Sequence, residues 1–142
     1  MKTRFYDFSY LSNKYIEGLR ELTAQPRSGM NIVLDSLQNI SNRKPKAKVI
    51  CYYEKGKVVG WLLATKEKNN FFPDTRWNNK SGYWIQIFVK PEYRNKGIGK
   101  CLIDKYNKKI KSRTYFATLY RKDNELSKFG IFSNLKKGYS IY

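Results

Sequence analysis

Val89-Lys90-Pro91-Glu92-Tyr93-Arg94-Asn95-Lys96-Gly97-Ile98-Gly99-Lys100 is the stretch whose reading decides the fold of this chain. Before it runs Gly82-Tyr83-Trp84-Ile85-Gln86-Ile87-Phe88-Val89, aromatic and β-branched, which predicts a strand. After it, Ile98, Leu102, Ile103, Tyr106 and Ile110 recur at helical spacing and predict a helix over 98 to about 112. A strand, a basic glycine loop and a helix together make an anion site, because loop amides and the helix N-terminus both present partial positive charge. Gly97 and Gly99 let the backbone approach a phosphate with no Cβ in the way. The two common nucleotide loops, G-x-x-x-x-G-K-[ST] and G-x-G-x-x-G, are absent.

The pattern R-x-x-G-x-G after V-x-P-x-Y resembles the acyl-CoA pyrophosphate loop of the GNAT N-acetyltransferases. The resemblance extends over about residues 30–142. Val49 to Tyr53, the turn Glu54-Lys55-Gly56-Lys57 and Val58-Val59-Gly60-Trp61-Leu62-Leu63 are similar to the family's second and third strands. Leu119-Tyr120-Arg121-Lys122-Asp123-Asn124 is similar to the end of its fifth strand and the Asn opening its fourth helix, and Lys137-Gly138-Tyr139 to the close of that helix. The resemblance implies a single domain over 1–142 of α/β (layered α+β) class. It also implies a mixed, mostly antiparallel sheet of about six strands, about four helices, and splayed fourth and fifth strands.

It further implies acetyl-CoA as co-substrate and transfer of its acetyl group to an amine. Ile87, Phe88 and Val89 would then lie along the pantetheine and thioester, where a bulge in the fourth strand would aim a backbone N–H at the thioester oxygen. Arg94, Asn95, Lys96, Gly97, Ile98, Gly99 and Lys100 would wrap the pyrophosphate, and Asn124 would meet the pantetheine arm. The proton-handling side chains depart from the family pattern. The fourth strand has no carboxylate, Leu119 occupies the usual glutamate position on the fifth, and the usual tyrosine of the fourth helix falls at Asn134 or Ile131. Tyr139, Tyr120, Tyr83 and Gln86 are the candidate catalytic groups that remain. Three accounts stand: one of these tyrosines serves; the acceptor is an α-amine that titrates near pH 8 and needs little base; or the protein binds acyl-CoA without turnover.

Charge narrows the partners. A chain of 142 residues with 29 Lys and Arg against 11 Asp and Glu carries a formal net charge of +18. Such a field concentrates anions and suits cationic acceptors such as aminoglycosides, polyamines or basic tails badly. It points to an anionic macromolecular acceptor, either an acidic protein or an aminoacylated or modified nucleic acid. The other reading is coding bias, since Lys, Asn, Ile and Tyr are abundant. The alternative function is a catalytically weak module of the same fold that binds nucleic acid or an acidic partner protein. The short C-terminus leaves room for one strand where the family has a hairpin, which predicts an open acceptor cleft.

With no histidine and only Cys51 and Cys101, neither a metal site, a disulfide framework nor a nucleophilic thiol is expected. Cys51 is assigned to a strand and Cys101 to the inward side of the helix after the loop. No apolar run approaches the roughly 20 residues of a membrane span, and the start lacks a signal-peptide core. A cytoplasmic protein is therefore expected.

Outward from the loop, residues 4–9 read as an edge strand, 12–22 and 30–40 as amphipathic helices, and 48–53 and 58–65 as a hairpin. Residues 66–80 form a polar loop whose Phe71, Phe72 and Trp77 either stack on unpaired bases or cover the sheet edge. Residues 114–120 read as a strand and 125–136 as a helix stopped by Gly138.

Overall fold

A computed structural model describes residues 2–24, 29–67, 83–110, 114–116 and 139–141. The elements are β1 (Thr3–Asp7), α1 (Asn13–Leu22), α2 (Gly29–Gln38), β2 (Ala47–Glu54), β3 (Lys57–Thr65), β4 (Tyr83–Val89), α3 (Ile98–Lys109), β5 (Thr114–Phe116) and β6 (Tyr139–Ile141). The strands form one sheet in the order β1-β2-β3-β4-β5-β6. Neighbours from β1 to β4 pair antiparallel; β5 pairs parallel to β4, and β6 parallel to β5. The expected mixed six-stranded sheet is therefore present, with three α-helices among the described residues. The fourth expected helix, over 125–136, lies outside them.

Both faces of the sheet are covered, which is why β2 and β3 read as nearly continuous apolar runs. On one face Val49, Cys51, Trp61, Leu63, Trp84 and Phe88 pack with Ile16 and Leu19 of α1 and with Val33, Leu34 and Leu37 of α2. On the other, Ile50, Leu62, Ala64 and Ile85 pack against Ile98, Leu102, Ile103 and Tyr106 of α3. The buried Trp61 indole donates to Thr23 Oγ1 at 2.7 Å, and that hydroxyl donates to Leu19 O at 2.7 Å. Thus the C-terminal turn of α1 satisfies the one polar atom of the largest buried side chain.

Boundaries shifted for local reasons. β1 stops at Asp7 because its carboxylate accepts from Ser9 N–H and Ser9 Oγ and turns the chain into a tight helical turn over Phe8–Tyr10. α1 begins after Ser12, whose hydroxyl accepts from Tyr15 N–H at 3.1 Å. α3 ends at Lys109, where β-branched Ile110 turns extended and stays buried. Cys101 contradicts its assignment: it is exposed. At 100° per residue it stands roughly 135° from the centre of the stripe formed by Ile98, Leu102, Ile103, Tyr106 and Ile110. The expected bulge in β4 is also corrected. Pairing runs unbroken from Thr65↔Trp84 to Gly60↔Val89, and the register shift among the described strands falls between β2 and β3, where Tyr52 and Tyr53 face Gly60 and Val58 and leave Val59 as the extra residue.

Arg43 and Glu67 tie the entry to β2 to the exit of β3. Glu67 accepts from both terminal nitrogens of Arg43 at 2.5 and 2.7 Å and from Lys46 N–H at 2.7 Å. The Arg43 guanidinium is the main cause holding the Glu67 carboxyl below its ordinary 4.5. A depressed carboxylate contributes stability that is present above its unfolded value and lost as pH falls through the folded one. Glu67→Gln should therefore lower Tm by about 5 °C at pH 7 and shrink the difference toward pH 3, as read by thermal melts across that range.

Candidate functional site

The loop after β4 is shaped by three backbone constraints. Lys90 N–H closes the β3–β4 ladder on Val59 O at 2.9 Å. Pro91 cannot extend that ladder, and a helical turn over Pro91–Tyr93 follows, closed by Tyr93 N–H on Lys90 O at 2.8 Å. Asn95 and Gly97 then take left-handed conformations, with φ of 63° and 83°. Gly97 is the cap before α3, and a Cβ built there meets nothing within 4 Å. Cys101 N–H is the first in α3 to find a backbone acceptor, Gly97 O at 3.0 Å. Among the described residues, the amides of residues 95–100 make no close hydrogen bond to a backbone carbonyl. They remain as donors at the positive end of a 12-residue helix.

Gly60 explains how this loop is seated. A Cβ at Gly60 would stand 3.1 Å from Phe88 O, 3.2 Å from Ile98 Cγ2 and 3.3 Å from Val89 Cγ2. Its absence lets the first residue of α3 settle on the end of the β3–β4 pair. The signal in the sequence is a glycine inside an apolar strand, Val58-Val59-Gly60-Trp61-Leu62.

The candidate residues distribute as follows. Arg94 is exposed, donates Nε–H to Val89 O at 2.8 Å and sets its guanidinium 5.8 Å from the Phe88 ring centre. Lys96 lies over Tyr93 at 5.5 Å. Ile98 is buried, Gly99 half-buried, and Asn95, Lys96, Gly97 and Lys100 are exposed. Ile87 and Val89 are half-buried against the core under α3, whereas Phe88 is buried toward α1 and α2. Among the described residues, β5 accompanies β4 only as far as Ile85↔Phe116, so Gln86 to Val89 run past that pairing.

Gln86 is the first of these. It pairs with Leu63 and alternates with Trp84 and Phe88, on the face toward α1 and α2. Its Nε2 is buried and has no hydrogen-bond partner among the described residues. An unmet buried amide donor is costly, and each such group calls for an explanation, a functional role among them. Tyr83 and Tyr139 stand elsewhere. Tyr83 pairs with Thr114 and Thr114 with Tyr139, one row at the start of β4. From that row to Val89 is roughly 20 Å of strand. Tyr120 and Asn124 lie outside the described residues, as do the aromatics of 66–80 beyond Glu67. Burial pushes the Cys51 thiol up to about 12, and its Sγ accepts from Tyr15 Oη at 3.3 Å. It is a packed core group with no thiolate to offer at neutral pH. No helix among the described residues is long and apolar enough to cross a membrane.

The model of the Acetyltransferase (GNAT) family matches residues 15–127. The chain belongs to the GNAT acetyltransferase family. Solved GNAT-type structures share the fold. A possible acetyltransferase from Clostridium difficile 630 aligns with 19% identity and a TM-score of 0.55, covering 100% of this chain and 96% of that one. An aminoglycoside N-acetyltransferase in complex with CoA aligns with 16% identity and a TM-score of 0.53, covering 96% and 91%. An aminoglycoside 6′-N-acetyltransferase complexed with coenzyme A aligns with 14% identity and a TM-score of 0.47; 74% of this chain matches about half, 53%, of that one. No curated protein sequence matches.

If the free amides of the loop are a diphosphate site, Gly97→Glu should abolish CoA binding by calorimetry, since it sets a carboxylate among them. Gly60→Val should weaken CoA about 10-fold or more without touching the ligand, by lifting Ile98 off the sheet.

Proposed function

We propose that this GNAT domain transfers the acetyl group of acetyl-CoA to an amine, and that the amides of residues 95–100 hold the CoA pyrophosphate. The observation that carries the reading is the row of unbonded amides at the N-terminus of α3, on a loop where the Gly97 position opens onto free space. Acetyl-CoA supplies the activated acyl group. Exposed Lys96 and Lys100 add charge for the phosphates, and Arg94 braces the end of β4 through Val89 O. Ile87, Phe88 and Val89 border the pantetheine arm, with Asn124 as a further contact.

Gln86 is proposed as the polar group at the reacting end. A primary amide is not a base at neutral pH, so its contribution is a hydrogen bond from Nε2. Proximity and backbone N–H groups then supply most of the rate, and the acceptor amine must arrive unprotonated. An α-amine near pH 8 meets that requirement more easily than a lysine near 10.4. Tyr83 lies on the opposite face of β4 from Gln86 and Tyr139 is two strands away in the same row, which leaves Tyr120 as the tyrosine candidate for the thiolate proton.

The acceptor we propose is an amine on an anionic molecule, an acidic protein or an aminoacylated or modified nucleic acid, because a chain of +18 attracts such partners. A small amino sugar is the second reading, favoured by the aminoglycoside enzymes among the structural neighbours. Incubation with labelled acetyl-CoA, followed by mass spectrometry of an acceptor panel, separates them. Label on an anionic acceptor, saturating at lower concentration in low salt, is the expected result; label confined to aminoglycosides selects the second reading, and no transfer to any acceptor contradicts the enzyme. Gln86→Leu should cut kcat/KM about 10- to 100-fold while CoA affinity stays within twofold. The rate with an α-amine acceptor should rise with pH toward the amine's own pKa near 8, with no break near 6 or 7.

A further inference from the structure

A second concentration of positive charge lies at the other end of the sheet from the loop. There β1 and β3 end, β2 and β4 begin, and a cleft of about 400 Å³ opens. Lys44, Lys46, Lys48 and Lys66 line it together with Tyr10 and Tyr83. The four lysines come from two separated segments, 44–48 and the end of β3, and the sheet brings them together. Carboxylates there are few and already engaged. Asp7 bonds to Lys48 Nζ at 2.6 Å, and nearby Glu67 is taken up by Arg43 and the Lys46 amide. Lys44, Lys46 and Lys66 are exposed and form no ion pair among the described residues.

The aromatic rings decide what kind of anion fits. Tyr10 is 77% exposed, the most exposed large apolar side chain described. Lys44 Nζ stands 5.2 Å from its ring centre, and Lys66 Nζ 4.9 Å from that of Tyr83. A simple phosphate or an acidic peptide uses the ammonium groups and has no use for a protruding ring. A duplex has charge but keeps its base faces covered. Unpaired nucleotides use both features, with phosphates along the lysines and a base on the free face of the ring.

We propose that this cleft is a binding site for single-stranded nucleic acid, separate from the acetyl-CoA site and independent of acetyl transfer. Roughly 20 Å of β4 separates the cleft from the pyrophosphate loop, and Gln86 at the reacting end faces α1 and α2 whereas Tyr83 faces the α3 side of the sheet, so both sites are occupied at once without competition.

Fluorescence anisotropy of the full chain with a labelled 12-nucleotide single strand tests this, over a salt series and with CoA present or absent. Three or four phosphate contacts predict that log K falls with log salt with a slope of about −2 to −3. Tyr10→Ala should weaken binding about 10-fold and leave that slope unchanged. Lys44→Ala with Lys66→Ala should make the slope shallower by about 1.4, the loss of two contacts. Each altered side chain is exposed, so thermal melts should match wild type, and saturating CoA should leave the affinity unchanged. Three results would overturn the proposal: wild-type binding by these variants, displacement of the strand by CoA, or equal affinity for a duplex or polyglutamate.

Discussion

The close approach of β3, the end of β4 and the start of α3 at Gly60 is the constraint on which the site depends. Without a side chain at Gly60, Ile98 reaches the sheet and is buried. With Ile98 fixed, the axis of α3 is fixed through Leu102, Ile103 and Tyr106, all fully buried. The chain between Val89 and Ile98 must then turn within a few residues, through left-handed Asn95 and Gly97. A turn that tight leaves no carbonyls behind α3 for its first amides. Packing on one side of the helix thus produces the donors on its open end. The donors of the proposed anion site are a consequence of the core, not an addition to it.

The same sheet organises charge at both ends. Toward the loop, positive potential comes from helix amides with Arg94, Lys96 and Lys100 around them. At the far end it comes from lysines gathered over Tyr10 and Tyr83. Acidic groups are scarce, and among the described residues most are tied up in ion pairs, as in Lys2–Glu54, Arg43–Glu67 and Lys48–Asp7. Much of the excess charge therefore faces solvent, where it acts on diffusing partners within about a Debye length.

The loop was legible in the sequence because its chemistry is local. Pro91, Gly97 and the apolar spacing after it each act within a few residues, and the strand and helix around them followed. Helix phase was less secure: Cys101 sits beside inward-facing Leu102, and only the full stripe to Ile110 shows that it points out. The bulge assigned to β4 came from resemblance, and no residue in Tyr83–Val89 demanded it; the regular pairing to β3 reflects an uninterrupted apolar run. The lysine cleft was not legible at all, since Tyr10, Lys44, Lys48 and Lys66 meet only once β1, β2 and β3 are in register. The unmet Nε2 of Gln86 was equally hidden, because a missing partner is a property of three dimensions.

The central claim is that main-chain nitrogens of the loop grip a diphosphate. Amide-resolved NMR of the ¹⁵N-labelled protein during a CoA titration tests it most directly. The account predicts that the amides of residues 95–100 shift downfield together and saturate at one affinity, as donors do on gaining a charged acceptor. Saturable CoA binding with those amides unmoved, or no CoA binding at millimolar concentration, would contradict it.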